Sequence, residues 1–128
     1  MMDIATLAEQ LDTAALAAKP VAQFDPEGRM PLTTAYAVQA ASIQRRLARG
    51  EVRVGVKMGF TSRAKMVQMG MKDVIWGRLT SSMLVEEGGS VSFAGFVRPR
   101  VEPEIAFLLK RDLPGLVSEP ESLAAVEA

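Results

Sequence analysis

Val52-Arg53-Val54-Gly55-Val56-Lys57-Met58-Gly59-Phe60-Thr61-Ser62 is where the chain changes its period. Val52, Val54 and Val56 alternate with Arg53, Gly55 and Lys57, the signature of a strand. Upstream the spacing is helical. Ile4, Leu7, Leu11, Ala14 and Ala18 recur every three or four residues and predict a first helix, closed by Lys19-Pro20. Phe24-Asp25-Pro26-Glu27-Gly28 is turn chemistry within a loop over 21–31. A second helix follows from Thr33 to Arg49, with Tyr36, Ala40, Ile43 and Leu47 as its buried stripe and Gly50 as its stop. Arg45, Arg46 and Arg49 fall in its last two turns, where cations suit the helix dipole, and read as solvated.

Downstream, Ser62 caps a short helix across 63–69 that Gly70 ends. Residues 74–85 read as extended, with Gly77 inside. Glu87-Gly88-Gly89-Ser90 is a turn, Val91 to Phe93 is strand-like, and Arg100 to Leu109 reads as the best strand of the chain. Ser118-Glu119-Pro120-Glu121 has capping-box spacing, and the helix it opens continues through Leu123, Ala124 and Val126. That helix looks cut short at Ala128. Met58, Met66, Met69 and Met71 are expected in the core, and Trp76 in the core or a pocket wall. The fold class is α+β, with a helical region over 1–50 and a β-rich region over 51–128.

Composition removes whole classes of function. Over 128 residues, 15 Lys and Arg balance 15 Asp and Glu, and there is no histidine. A neutral chain without a basic cluster lacks the footprint of a nucleic-acid binder. No apolar run is long enough to span a bilayer, so no membrane role is expected. Met1-Met2-Asp3-Ile4 carries no secretory pattern, which makes a cytoplasmic location the default expectation. With no cysteine and no histidine, disulfides, ordinary zinc sites, thiol nucleophiles and Ser-His-Asp triads are excluded within this chain. Carboxylates, lysine, arginine, hydroxyls, backbone groups and oxygen-bound metals remain.

Two stretches carry such groups. In Arg100-Val101-Glu102-Pro103-Glu104-Ile105-Ala106-Phe107, residues two apart on a strand share a face, so Glu102 and Glu104 project side by side. Like carboxylates so placed repel, and a hard dication such as Mg²⁺ or Mn²⁺ would resolve the conflict. Two glutamates at this spacing are also what a wet surface carries, and spacing alone leaves both readings open. Pro103 cannot donate to a ladder and marks an edge or a bulge; the opposite face, with Val101, Ile105 and Phe107, suits a core. In Lys57-Met58-Gly59-Phe60-Thr61-Ser62 a strand ends and a helix opens. Lys57, with Thr61 and Ser62 as donors at that helix start, forms a mouth for a carboxylate or enolate, or else a solvated lysine beside an ordinary cap.

Together these motifs resemble the 2-keto-4-pentenoate hydratase and 4-oxalocrotonate decarboxylase family of the fumarylacetoacetate hydrolase superfamily. The resemblance rests on Val56-Lys57-Met58-Gly59-Phe60-Thr61-Ser62 and Ala64-Lys65-Met66-Val67-Gln68-Met69-Gly70. It extends through Ile75-Trp76-Gly77-Arg78-Leu79, Pro99 to Phe107 and Asp112-Leu113-Pro114, and Ala35-Tyr36-Ala37-Val38-Gln39 looks like the family's second helix. The resemblance implies the first strands of a mixed β-roll, apparently truncated, since related chains are about twice as long.

It also implies that Glu102 and Glu104 are two of three carboxylates holding Mg²⁺ or Mn²⁺, and that Lys57 sits in the active site. The substrate implied is a small 2-oxo acid from meta-cleavage of aromatic rings. Hydratases of the family usually carry an acid/base aspartate two residues before the glycine matching Gly77; here Ile75 stands there, as in decarboxylase-like members. Decarboxylation of 2-oxohex-3-enedioate is therefore expected over hydration of 2-hydroxypenta-2,4-dienoate. A dicarboxylate also wants a cation at its far end, for which Arg78, Arg63 and Lys65 are candidates by position. The third expected carboxylate lies beyond Ala128, so a fragment that only pairs with a full-length homologue is a further reading. The resemblance suggests a homo-oligomer and a complex with a hydratase of the same pathway.

Overall fold

A computed structural model describes residues 3–128. Its elements run α1 (Ile4–Leu16), α2 (Leu32–Ala48), β1 (Arg53–Gly59), α3 (Arg63–Gln68), β2 (Ile75–Thr80) and α4 (Glu119–Ala124). Single 3-10 turns occupy Ser81–Met83 and Phe93–Gly95. The class is α+β; among the described residues its sheet is the antiparallel pair of β1 and β2. No described helix is long and apolar enough to cross a membrane.

Local chemistry sets the helix ends. Asp3 caps α1 by accepting the Thr6 N–H at 2.9 Å. The helix stops before Pro20 because Ala18 takes a left-handed φ of 50°, and the Lys19 N–H closes on the Ala14 carbonyl at 3.0 Å. α2 ends as its glycine predicts: Gly50 has φ of 94°, and the Glu51 N–H reaches the Arg46 carbonyl. Asp25 ties the loop before α2 by accepting the Met30 and Arg29 N–H groups at 2.7 and 2.9 Å.

The core sits between α1 and α2. Leu7, Ala8 and Val38 are buried, with Phe24, Met30 and Ala41 packed against them. Leu11 and Ile4, expected inside, lie at the rim. Asp12 takes the inner position instead, with only 1% of its surface exposed. Arg49 grips its carboxylate with two nitrogens at 2.6 and 2.8 Å, and Arg45 Nε adds a third contact at 3.1 Å. The solvated reading of Arg45 and Arg49 is thus corrected: they are the counter-ions of a buried acid, which could not stay ionised there unpaired. The Arg49 hydrogen bond, foremost, holds the Asp12 carboxyl below its ordinary range.

Two strand expectations fail downstream for one reason. A strand needs a neighbour, and Arg100–Leu109 finds one only at its end, where Leu109 bridges Val126. Most of this segment has no ladder, and Val101, Ile105 and Phe107 are exposed rather than in a core. Val91 to Phe93 likewise forms no strand. α4 opens with the full capping box, Ser118 accepting the Glu121 N–H while Glu121 accepts the Ser118 N–H. It ends at Ala124, so Val126 serves the bridge and not the helix. Met58 and Met69 lie exposed, against the core reading of the methionines.

Because the native Asp12 carboxyl binds its proton less readily than in the unfolded chain, its contribution to stability is complete above the unfolded value near 4 and fades as pH falls through the lower native value. Asp12→Asn should cost about 2 kcal/mol at pH 7. In urea melts followed by circular dichroism, the gap between wild type and variant should narrow as pH is lowered below the ordinary carboxylate range.

Candidate metal centre

β1 and β2 form a ribbon whose register places Lys57 opposite Gly77, Met58 opposite Trp76, and Gly59 opposite Ile75. A bulge lies between Arg53 and Gly55. Residues directly opposite share a face, so Trp76, Arg78, Val56 and Met58 lie on one side, and Lys57, Gly77, Gly59 and Ile75 on the other.

The first side meets α2. Tyr36 stacks on Trp76, ring centroids 5.0 Å apart, and its hydroxyl accepts the Trp76 N–H at 3.2 Å. Gln39 donates to the Trp76 carbonyl at 3.1 Å and accepts from Arg78 at 3.0 Å. The Arg78 guanidinium lies 4.6 Å from the Trp76 ring centre. Trp76 is therefore part of a wall, half-buried between helix and strand.

The second side carries the chemistry. Lys57 Nζ donates to Glu104 Oε1 in a close contact and lies 3.7 Å from Glu102 Oε2. Both glutamates thus face one cation, although their segment forms no ladder. About half of each of the three side chains is exposed, at 46, 58 and 48% for Lys57, Glu102 and Glu104. The Glu104 hydrogen bond, foremost, raises the Lys57 pKa above the ordinary lysine value and keeps the ammonium charged. Gly77 leaves this side open, since a Cβ there would meet nothing within 4 Å. A Cβ on Gly59 would come within 2.9 Å of Ile75 Cγ1, so this glycine lets the two strands close.

The other expected site residues stand apart. Arg78 is on the α2 side of the ribbon and does not join Lys57. Thr61 and Ser62 are exposed past the end of β1, where Phe60 turns the chain with φ of 56°. Ser62 occupies the N-cap position of α3, but its hydroxyl makes no capping bond, a correction to the expected cap. No described hydrogen bond joins Thr61 or Ser62 to Lys57 or either glutamate. Among the described residues no group of three potential metal ligands comes together. Sequence reasoning missed Gln39 and Tyr36 as the groups that orient Arg78 and Trp76. Their helical spacing on the face of α2 toward the ribbon was the available signal.

No family model matches the chain. A 4-oxalocrotonate decarboxylase from a Pseudomonas species is 51% identical over 127 residues, covering 99% of this chain and 50% of that enzyme. The chain belongs to the 4-oxalocrotonate decarboxylase and 2-keto-4-pentenoate hydratase family. It matches the N-terminal half of that family and spans about half the length of the curated relatives. A 2-hydroxyhexa-2,4-dienoate hydratase from Comamonas testosteroni is 37% identical over 128 residues, covering 97% of this chain and 48% of its own. Among solved structures, a 4-oxalocrotonate decarboxylase from Pseudomonas putida G7 complexed with magnesium and adipate matches at a TM-score of 0.58 and 38% identity. The match covers 62% of this chain and 30% of that one. The same enzyme has been solved with calcium and acetate.

Gly59→Ala should destabilise the ribbon by about 1–2 kcal/mol, because Ile75 must shift. Combining it with Ile75→Ala should cost less than the sum of the two single changes, as measured by a double-mutant cycle in urea.

Proposed function

We propose that this chain supplies the Lys57, Glu102 and Glu104 portion of a divalent-metal lyase that decarboxylates 2-oxohex-3-enedioate to 2-hydroxypenta-2,4-dienoate. The observation that carries the reading is the convergence of Glu102 and Glu104 on one cation from a single extended segment. The donor set fits a hard dication, since both groups are carboxylates, both reach solvent, and both already share a positive partner. The third ligand of the resemblance would lie outside these 128 residues.

Mg²⁺ or Mn²⁺ held by Glu102 and Glu104 would act as a Lewis acid toward the 2-oxo acid end of the substrate. The remaining roles belong to the chain. Loss of CO₂ leaves an electron pair that delocalises onto the 2-oxo oxygen as a dienolate. The Lys57 ammonium balances that negative charge and carries a proton for it. The exposed hydroxyls of Thr61 and Ser62 are donors for a substrate carboxylate. Arg78, turned toward Gln39 and Trp76, takes no part in this scheme. Adipate, found with the Pseudomonas putida G7 decarboxylase, has a carboxylate at each end, in keeping with a dicarboxylate substrate.

Hydration is the second reading, favoured by the hydratases among the relatives. Ile75 speaks against it, because it puts hydrocarbon on the Lys57 side of the ribbon where the hydratases of the resemblance carry an acid/base aspartate. A third reading, a non-catalytic partner of a full-length homologue, predicts no turnover of its own.

The test mixes the purified chain with the C-terminal half of a 4-oxalocrotonate decarboxylase and follows 2-oxohex-3-enedioate with Mg²⁺. CO₂ release is expected, and Glu104→Gln should remove it while leaving the helical circular dichroism intact. Retained turnover in that variant would overturn the ligand assignment. Hydration without CO₂ would favour the second reading, and no turnover the third.

A further inference from the structure

The ammonium of Lys57 does something its place in a site does not require: it contacts both carboxylates at once. Glu102 and Glu104 lie two residues apart and would repel each other without a cation between them. An ammonium and a dication on the same pair of carboxylates compete, since a single and a double positive charge about 4 Å apart repel by about 2 kcal/mol even in water. The cross-strand neighbour of Lys57 is Gly77, beside which there is open space, and the lysine side chain is 46% exposed.

We propose that Lys57 is a built-in competitor for the divalent cation, gathering Glu102 and Glu104 and yielding them when metal binds, which frees its ammonium for the substrate. The inference rests on reading the two glutamates as metal ligands. It adds an exchange in which metal binding and release of the lysine are one event. A dication then enters a pair of carboxylates already brought together, while the ammonium that gathered them weakens its hold.

The probe is Mn²⁺, with the free ion measured by electron paramagnetic resonance against the 128-residue chain. Lys57→Met should bind Mn²⁺ more tightly than wild type, by on the order of tenfold. Equal or weaker binding by K57M, with wild-type circular dichroism, would overturn the competition. Glu104→Gln added to K57M should abolish the gain. If the double variant binds as tightly as K57M, the ligand assignment fails. No Mn²⁺ binding by any chain would overturn both.

A second measurement needs no variant. Acetylation of Lys57 by an N-hydroxysuccinimide ester, read by mass spectrometry relative to Lys19, should speed up severalfold when Mn²⁺ is added. Unchanged labelling in a chain that binds Mn²⁺ would contradict the release of the lysine while leaving the glutamates as ligands.

Discussion

The ion pairs of Lys57 with Glu102 and Glu104 tie the 100–107 segment to the β1–β2 ribbon; among the described residues no other ion pair does so. That segment has almost no ladder and no buried apolar residue to anchor it. Its contact with the ribbon therefore depends on where Lys57 points, which the pleat of the β1–β2 pair decides. A slip of one residue in the register would turn the lysine toward α2 and away from both glutamates.

The ribbon is fixed in turn by its other side. Tyr36 and Gln39 hold Trp76 and Arg78 against α2, so the Lys57 side faces outward. α2 is locked to α1 by the buried Asp12 carboxylate between Arg45 and Arg49. A polar lock at this place gives the helix pair a defined rotation, because a twist of either helix would leave a buried charge without its partner. The path from Asp12 to Glu104 is thus a sequence of contacts in which each step orients the next.

What the sequence made legible was local chemistry. The glycine stop at Gly50 and the capping box at Ser118 are written within a few residues and appear as read. The side-by-side placement of Glu102 and Glu104 survives although the strand that suggested it does not form. What stayed hidden was pairing over distance. Asp12 lies 33 and 37 residues from its arginines, and no periodicity marks an acid that will be buried. Arg100–Leu109 has strand composition, but a strand exists only beside a partner, and Val126 supplies a single bridge. Arg78 lies on the side of the ribbon that faces α2, away from Lys57, which only the register could tell.

The chain belongs to a family with decarboxylases and hydratases, and under the function proposed above the two carboxylates around Lys57 are where its metal would bind. The most direct measurement is a ¹H–¹⁵N spectrum of the chain with substoichiometric Mn²⁺, whose paramagnetism broadens nearby amides. The account predicts that the signals of Val101, Glu102, Glu104 and Lys57 vanish first while those of α1 persist. Broadening centred on other acids such as Glu9 or Glu51, with the Glu102 and Glu104 amides sharp, would contradict it.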